Sequence, residues 1–200
     1  LVEVTDANLN QTTMTYDALG RKIEMIDPDM GRWFYDYDPA GNLITQIDAR
    51  KQAIDFYYNA RGQLKGKFYT SGVNNLDTHN RNASPTYDVA YYYDETGHGE
   101  SLGRRTRMTN TSGQTTWAYD VRGRVSSETK VINSVSYTTG YAYNAMDQVT
   151  TMTYPDGEQV TQTYNNATQP ESLTSNLGTY VSNATYAGAG LLTQFTSGNN

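Results

Sequence analysis

The sequence predicts an all-β fold made of tandem antiparallel β-hairpins. Three observations lead to this prediction. A turn motif recurs along the whole chain, apolar and polar residues alternate before its copies, and no stretch shows the 3.6-residue period of a helix. The rich supply of Gly, Asn, Thr and Tyr also disfavours helix.

The recurring motif has the form Tyr-Asp/Asn-x-x-Gly, with eight clear or looser copies in 200 residues. Successive motif tyrosines lie 21, 21, 35, 26, 24, 21 and 22 residues apart. Two strands of six to eight residues and two short turns take up about 20 residues, so each repeat predicts one hairpin. The motif residues are Tyr16, Asp17, Gly20, Tyr37, Asp38, Gly41, Tyr58, Asn59, Gly62, Tyr93, Asp94, Gly97, Tyr119, Asp120 and Gly123, followed by the looser Tyr143, Asn144, Tyr164, Asn165 and Tyr186.

The residues of the motif are typical of a β-turn. An Asp at the first turn position accepts hydrogen bonds from the following backbone N–H groups, and a Gly at the fourth adopts positive φ without steric cost. Asp147 stands at the Gly position of one looser copy and tolerates the left-handed region. Thr168 stands there in another and tolerates it poorly, so we expect a distorted turn at that point.

A second turn follows each motif after about ten residues. It reads DPDMG at Asp27, DARKQ at Asp48, NTSGQ at Asn110 and YPDGE at Tyr154. These are also combinations of Pro, Asp, Asn and Gly that favour turns. Each repeat therefore predicts a turn, a strand, a turn and a strand.

The strands that lead into the motif tyrosines alternate. Trp33, Tyr35 and Tyr37 fall on one face of the predicted sheet, and Phe34 and Asp36 on the other. We expect the residues two places before the motif tyrosines to form an aromatic ladder across neighbouring hairpins, each cross-strand pair contributing roughly 0.2–1 kcal/mol. These residues are Met14, Tyr35, Phe56, Tyr91, Trp117 and Tyr141.

We predict a single array over residues 1–200, with inserted loops near 70–86 and 95–103. Eight hairpins give about 16 strands and a sheet about 75 Å wide. Open twisted sheets rarely exceed about ten strands, so we expect a curved, spiralling sheet with open edges, cut from a longer array.

Composition excludes several classes of function. A net charge of −6 argues against a nucleic-acid partner, and the small basic cluster at Gly103–Arg107 is interpreted as a solvated strand face. The absence of Cys excludes disulfides and thiolate metal sites, and the chain has no apolar run of 18 residues for a membrane span.

A search for catalytic or metal-binding residues finds none to propose. His79 and His98 lie in the predicted insertions and are interpreted as exposed loop histidines. No Ser has a GxSxG context, and no calcium-loop pattern occurs. We therefore predict neither an enzyme nor a cofactor or metal site.

The aromatic rows allow a second interpretation. Trp33, Tyr35, Trp117 and Tyr141 would stack against sugar rings if they faced solvent. The alternative, which we favour, is that they pack between hairpins. The choice decides between a glycan- or surface-binding adhesion module and a purely structural array.

Two segments, YDALGRKIEMIDPDMG and GRRTRMTNTSGQTTWAYDVRGRV, resemble the consensus of the YD-repeat (Rhs-repeat) family. That family occurs in bacterial Rhs and polymorphic toxins, in Tc toxin C components and in teneurins. The resemblance implies a hairpin strip wound into a hollow shell that encloses a C-terminal effector in the toxins. It also implies that the partners are further repeats and that effector, within a larger secreted or cell-surface protein.

The chain departs from the family pattern at two points. Lys22 stands where other copies carry Leu or Val, as at Leu43 and Val125. The family's hallmark core segment, which ends the shell and often self-cleaves with aspartates, is not found in these 200 residues. The resemblance therefore carries no catalytic residue over to this chain.

Overall fold

A computed structural model describes residues 2–83 and 85–198. The chain divides into two compact units, Leu1–Tyr91 and Tyr92–Asn200. The described residues form seventeen β-strands and no helix, and strands paired within each unit are antiparallel and consecutive in the chain. The predicted all-β fold of tandem hairpins is confirmed.

The first unit runs from β1 into β8, and the last two residues of β8 already belong to the second unit. Each strand pairs with the next along the chain. The strands are β1 (Glu3–Thr5), β2 (Gln11–Tyr16), β3 (Lys22–Asp27), β4 (Gly31–Tyr37), β5 (Leu43–Ile47), β6 (Gln52–Tyr58), β7 (Leu64–Ser71) and β8 (Val89–Tyr93).

The second unit is itself an antiparallel meander, in which each strand from β9 to β17 pairs with the next. Its strands are β9 (Arg105–Asn110), β10 (Gly113–Tyr119), β11 (Val125–Ile132), β12 (Val135–Tyr143), β13 (Val149–Thr153), β14 (Gln159–Tyr164), β15 (Pro170–Ser175), β16 (Gly178–Tyr186) and β17 (Leu192–Ser197).

A β-bulge precedes the motif tyrosine in each regular repeat. Asp36 pairs with Thr45 but Tyr37 pairs with Leu43, so Ile44 is an extra residue on the returning strand. A bulge of this kind increases the local right-handed twist of a hairpin. The same shift occurs immediately before Tyr16, Tyr58, Tyr119, Tyr143, Tyr164 and Tyr186.

A small apolar core lies in the first unit, under residues 72–83 of the connection from β7 to β8. Ile47, Ala53 and Val73 are buried together, and Phe34 and Leu76 pack against them. The connecting segment therefore folds back over one face of β4–β6 and forms a second layer there.

The turn at Thr168 is regular, so the expected distortion is wrong. Thr168 adopts φ +65° and donates its N–H to the Asn165 carbonyl at 2.9 Å. The backbone N–H of Asn165 also bonds to the Gln169 carbonyl at 2.9 Å, as in the glycine-containing copies. The hydrogen bonds of the turn hold this β-branched residue in the left-handed region at a conformational cost.

Replacing Thr168 with Gly is expected to stabilise the second unit by about 1 kcal/mol, because it removes the left-handed strain at a modest entropic cost. Chemical denaturation measures the change. The reciprocal variant Gly41→Thr places a side chain at φ +87° in open space, so only backbone strain separates it from wild type. It should destabilise by a similar amount, and a destabilising Thr168→Gly would contradict the argument.

The Tyr93 copy closes differently from the others. The Asp94 N–H reaches the Arg104 carbonyl at 3.3 Å, and the tight turn lies at Ser101–Arg104, where Arg104 N–H bonds to the Ser101 carbonyl at 2.8 Å. Gly103, with φ +75°, rather than Gly97 occupies the closing position of that turn. The inserted residues thus displace the predicted turn to the far end of the insertion.

Candidate functional site: the network at the motif turns

The Asp or Asn of each regular motif organises its turn through its side chain. The Oδ1 of Asp17 accepts the backbone N–H groups of Leu19 and Arg21, both at 2.9 Å. The Gly20 N–H bonds to the Asp17 carbonyl at 3.0 Å, and Gly20 adopts φ +76°. The final copy, at Ala187, keeps the backbone turn without a capping side chain.

The residue directly after the Gly position bonds to the remaining atom of the Asp or Asn side chain. Where the motif carries Asp, this residue is a donor. Arg21 binds Asp17, Asn42 binds Asp38 and Arg124 binds Asp120 through Oδ2 at 2.6–2.8 Å.

Where the motif carries Asn, the following residue is Gln, and its Oε1 accepts the Asn amide. Asn59 donates to Gln63, Asn144 to Gln148 and Asn165 to Gln169, at 2.7–3.0 Å. The two positions are therefore chemically matched within each turn. Sequence reasoning missed this signal, although the spacing of four residues makes it visible in the printed sequence.

Long residues at this position also reach the next motif turn. Arg21 Nη1 donates to the Asp38 carbonyl at 3.0 Å, and Arg124 Nη1 donates to the Asn144 carbonyl at 3.0 Å. Gln148 Nε2 donates to the Thr168 carbonyl at 2.8 Å. Side-chain hydrogen bonds thus connect adjacent motif turns at the ends of the strands.

Six of the motif tyrosines bond through their hydroxyl groups to the preceding hairpin. The Tyr37 hydroxyl donates to the Lys22 carbonyl at 2.9 Å, and Lys22 stands two places after the Gly of the previous motif. The same bond recurs from Tyr58 to Leu43, Tyr119 to Arg105, Tyr143 to Val125, Tyr164 to Val149 and Tyr186 to Pro170, at 2.6–2.9 Å. The hydroxyl therefore explains why the motif carries Tyr rather than Phe.

The pKa shifts of the motif tyrosines and aspartates favour the protonation states that their hydrogen bonds require. Burial raises the pKa of Tyr37 and Tyr58, so both hydroxyls stay protonated and able to donate. The backbone N–H of Arg21 lowers the pKa of Asp17, the Asn42 amide lowers that of Asp38, and the Arg124 guanidinium lowers that of Asp120.

Converting the Asp120 turn to the Asn type, by Asp120→Asn with Arg124→Gln, is expected to make stability less sensitive to acid. Folding lowers the pKa of Asp120 below its ordinary value of 3.8, so the carboxylate stabilises the fold at neutral pH. That contribution is lost as the pH falls through the ordinary value to the lower folded value. Thermal unfolding at pH 7 and pH 3 should show a smaller decrease in Tm for the double variant. Equal decreases would contradict this prediction.

Among the described residues, the predicted aromatic ladder is interrupted at three of its positions, because cations rather than neighbouring rings cover the faces of Tyr35, Phe56 and Trp117. The Lys22 ammonium lies 4.7 Å from the centre of Tyr35, the Lys67 ammonium 5.5 Å from Phe56 and the Arg105 guanidinium 4.3 Å from Trp117. Successive repeats are two strands apart, roughly 10 Å, so a residue of the intervening strand fills the space.

The four residues singled out for ligand stacking are half-buried. Trp33 and Tyr35 lie side by side along β4, with ring centres 6.5 Å apart and planes inclined by 17°. Trp33 donates its indole N–H to the Met30 carbonyl at 3.0 Å. In the second unit, the Trp117 indole N–H donates to the Glu128 carboxylate at 3.1 Å. Tyr141 of β12 stands opposite Met152 of β13.

His79 is buried, so its assignment as an exposed loop residue is wrong. The segment after β7 carries it onto Asp55, and its Nε2 lies 2.8 and 3.1 Å from the two carboxylate oxygens. The side chains are 5% and 1% exposed. Thr45 also donates to Asp55 at 2.8 Å, and the Arg81 Nε lies 4.0 Å from it.

The second insertion is anchored in a similar way within the second unit. Glu95 accepts Thr106 Oγ1 at 2.8 Å and Arg107 Nη2 at 2.6 Å, and the Arg107 guanidinium lowers its pKa. His98, expected to be an exposed loop residue, donates through Nδ1 to the Trp117 carbonyl at 2.7 Å. Both histidines thus hold insertions onto the sheet.

In residues 2–83 and 85–198, no three His, Asp or Glu side chains are grouped so that they could hold a metal ion. The same residues contain no helix long and apolar enough to cross a membrane.

The family model that describes the RHS repeat matches residues 1–29 and 100–134. The chain contains RHS repeats. The matched segments include the Asp17 turn and the Asp120 turn, where the paired side chains, the bulge and, at Tyr119, the hydroxyl bond are found. No curated protein matches the chain in sequence.

Solved structures extend the likeness of these RHS repeats to nearly the whole chain. The crystal structure of TcdB2-TccC3 superposes with a TM-score of 0.75 at 15% identity, over 98% of this chain and 12% of that chain. The complex with Cdc42 gives 0.74 at 15%, and the form without the hypervariable C-terminal region gives 0.74 at 16%, with the same coverage. At this identity the likeness shows the fold, and the RHS repeats described here span 12% of the length of the matched chains.

Proposed function

We propose that this chain is a non-catalytic wall segment of a YD/Rhs-repeat β-shell that encloses a toxin or effector domain of a larger secreted or surface protein. The observation that supports this role most directly is the tyrosine hydroxyl bond, which six of the motif tyrosines make to the preceding hairpin. A wall needs such connections between every pair of neighbours, whereas a catalytic or binding domain needs a converging site.

The arrangement of the polar groups supports a mechanical rather than a chemical role. In the described part of the chain, the hydroxyl, carboxylate and amide groups of the motif are engaged in turns and between repeats. Their bonds make each hairpin stiff at its turn and continuous with its neighbour. The fold shared with TcdB2-TccC3, which has a hypervariable C-terminal region, fits the same proposal.

Limited proteolysis of the full-length protein tests the enclosing role. The effector should resist protease in the wild type and be digested at least tenfold faster when the repeats are weakened by Tyr143→Phe, Tyr164→Phe and Tyr186→Phe together. Val121→Ala, at an exposed turn position, serves as the control with unchanged protection. An effector that is equally resistant, or equally sensitive, in all three proteins would contradict enclosure.

A glycan- or surface-binding adhesion module is the second candidate, and the nearly parallel, half-buried ring pair of Trp33 and Tyr35 is the observation that favours it. Aromatic rings that keep part of their surface exposed offer apolar area to the apolar face of a sugar. A glycan array followed by calorimetry on the isolated chain tests it. Saturable binding that is lost in folded Trp33→Ala or Trp117→Ala variants would support adhesion, and no binding would reject it.

A further inference from the structure

An open cleft of about 380 Å³ lies in the first unit between two consecutive motif turns, Asp38–Gly41 and Asn59–Gly62. Its lining includes Asn42 and Tyr58, together with Arg81 from the segment that follows β7. None of the contacts described above for the hairpin network fills this space. The equivalent places in other repeats show which chemical group fits it.

Between the first pair of motif turns, the equivalent place is filled by the guanidinium of Arg21. It bonds to the Asp17 carboxylate at 2.6 Å and to the Asp38 carbonyl at 3.0 Å, and it lies 4.8 Å from the ring centre of Tyr37. The group thus contacts the carboxylate of one turn, the carbonyl of the next and the ring of the next motif tyrosine.

Arg124 repeats this arrangement in the second unit. It bonds to the Asp120 carboxylate at 2.6 Å and to the Asn144 carbonyl at 3.0 Å, and it lies 4.5 Å from the ring centre of Tyr143. Two independent repeats therefore place a planar cation there in the same geometry, and the amide of Gln148 bridges the corresponding place in a third repeat.

In the cleft, the residue at the position of Arg21 is the much shorter Asn42. Its amide bonds to the Asp38 carboxylate at 2.8 Å and extends no further. The Asn59 carbonyl accepts the Gly62 N–H at 2.9 Å, as the Asp38 carbonyl accepts Gly41, but Asp38 accepts Arg21 as well. A carbonyl oxygen has two lone pairs, so Asn59 can take a second donor in the same way.

The charges near the cleft also suit a cation. Asp38 contributes one carboxylate to its lining, and Arg81 contributes one guanidinium. The charge of Arg81 is balanced by Asp55, 4.0 Å from its Nε, and its guanidinium lies 4.1 Å from the ring centre of Tyr57. The formal charges of Asp38, Asp55 and Arg81 add up to −1.

We propose that this cleft is a binding site for a guanidinium group, and that its occupant is an arginine side chain from a partner polypeptide segment. The occupant bonds to the Asp38 carboxylate and the Asn59 carbonyl and stacks on Tyr58, as Arg21 does one repeat earlier. A lysine fits less well, because an ammonium lacks the planar fork that reaches both acceptors while lying flat on a ring.

Titration of the isotope-labelled chain with N-acetyl-arginine amide, followed by NMR, tests the site. Saturable shifts of the Tyr58 and Asn59 amides are expected, and N-acetyl-lysine amide should bind at least threefold more weakly. Asn42→Arg supplies its own guanidinium and should reduce the affinity at least tenfold, while the exposed turn variant Asp29→Asn should bind as wild type does.

Asn42→Gln provides a second filling variant in case Asn42→Arg fails to fold, since Gln148 spans the same distance between turns. It should also weaken binding. The proposal is overturned if no saturable shift occurs at Tyr58 and Asn59, if arginine and lysine probes bind equally, or if both filled variants bind as wild type does.

Discussion

Replacing Asp55 with Ala is expected to destabilise the first unit by about 3–5 kcal/mol, the range for removing one partner of a buried charged cluster. Asp55 is 1% exposed and accepts hydrogen bonds from Thr45 and His79, with the Arg81 Nε 4.0 Å away. The variant leaves three polar side chains facing a cavity, and the Arg81 Nε is already buried without a hydrogen-bond partner.

Denaturant unfolding followed by Trp33 fluorescence, in a Trp117→Phe background, measures this change in the first unit. Because His79 and Arg81 hold residues 72–83 onto the sheet, trypsin should also cut at Arg81 faster in the variant. Asp77→Ala lies in the same segment at an exposed position and serves as the matched control, with an expected change within about 0.5 kcal/mol. Equal stabilities of the Asp55 and Asp77 variants would refute the anchoring role.

Replacing all six hydrogen-bonded motif tyrosines with Phe is expected to remove about 3–9 kcal/mol of stability. Each hydroxyl bond contributes about 0.5–1.5 kcal/mol, and the rings that pack beside the turns are kept. A loss of this size is comparable to the whole stability of an ordinary domain. The six are Tyr37, Tyr58, Tyr119, Tyr143, Tyr164 and Tyr186.

Single and combined variants, compared by thermal and denaturant unfolding, show whether the hydroxyls act independently. Replacements in neighbouring repeats should lose more together than the sum of each alone, since each hairpin supports the next. The variant with Tyr69→Phe and Tyr137→Phe serves as the control. It makes the same substitution at exposed tyrosines that lie outside the motif. If the six-fold variant were no less stable than this control, the hydroxyl bonds would have no structural role.

The hairpin order and the turns were predictable because their determinants are contiguous in the chain. Asp17 and Gly20 shape their turn within four residues, and the alternation around Tyr35 sets the strand without reference to distant residues. The positive φ of Asp147 was predictable for the same reason, because it depends on the residue's own position in its turn. Thr168 was mispredicted because the bonds of its hairpin outweigh its own conformational preference.

The contacts between repeats depended on tertiary structure. Tyr37 finds the Lys22 carbonyl only because the strand register, including the bulge at Ile44, places them together. The predicted ring ladder is interrupted for the same reason: a whole strand separates equivalent positions, and cations fill the space.

The amino-acid sequence by itself determined that this protein is a series of β-hairpins with a recurring motif and RHS-type turns. Only the tertiary structure decided that His79 and Arg81 meet Asp55, which is 24 and 26 residues away in the chain. It also decided that a cleft remains beside Asn42, whereas Arg21 fills the equivalent place one repeat earlier. Turn geometry is encoded by neighbouring residues, whereas these contacts arise when a connecting segment folds over the sheet and when successive hairpins align.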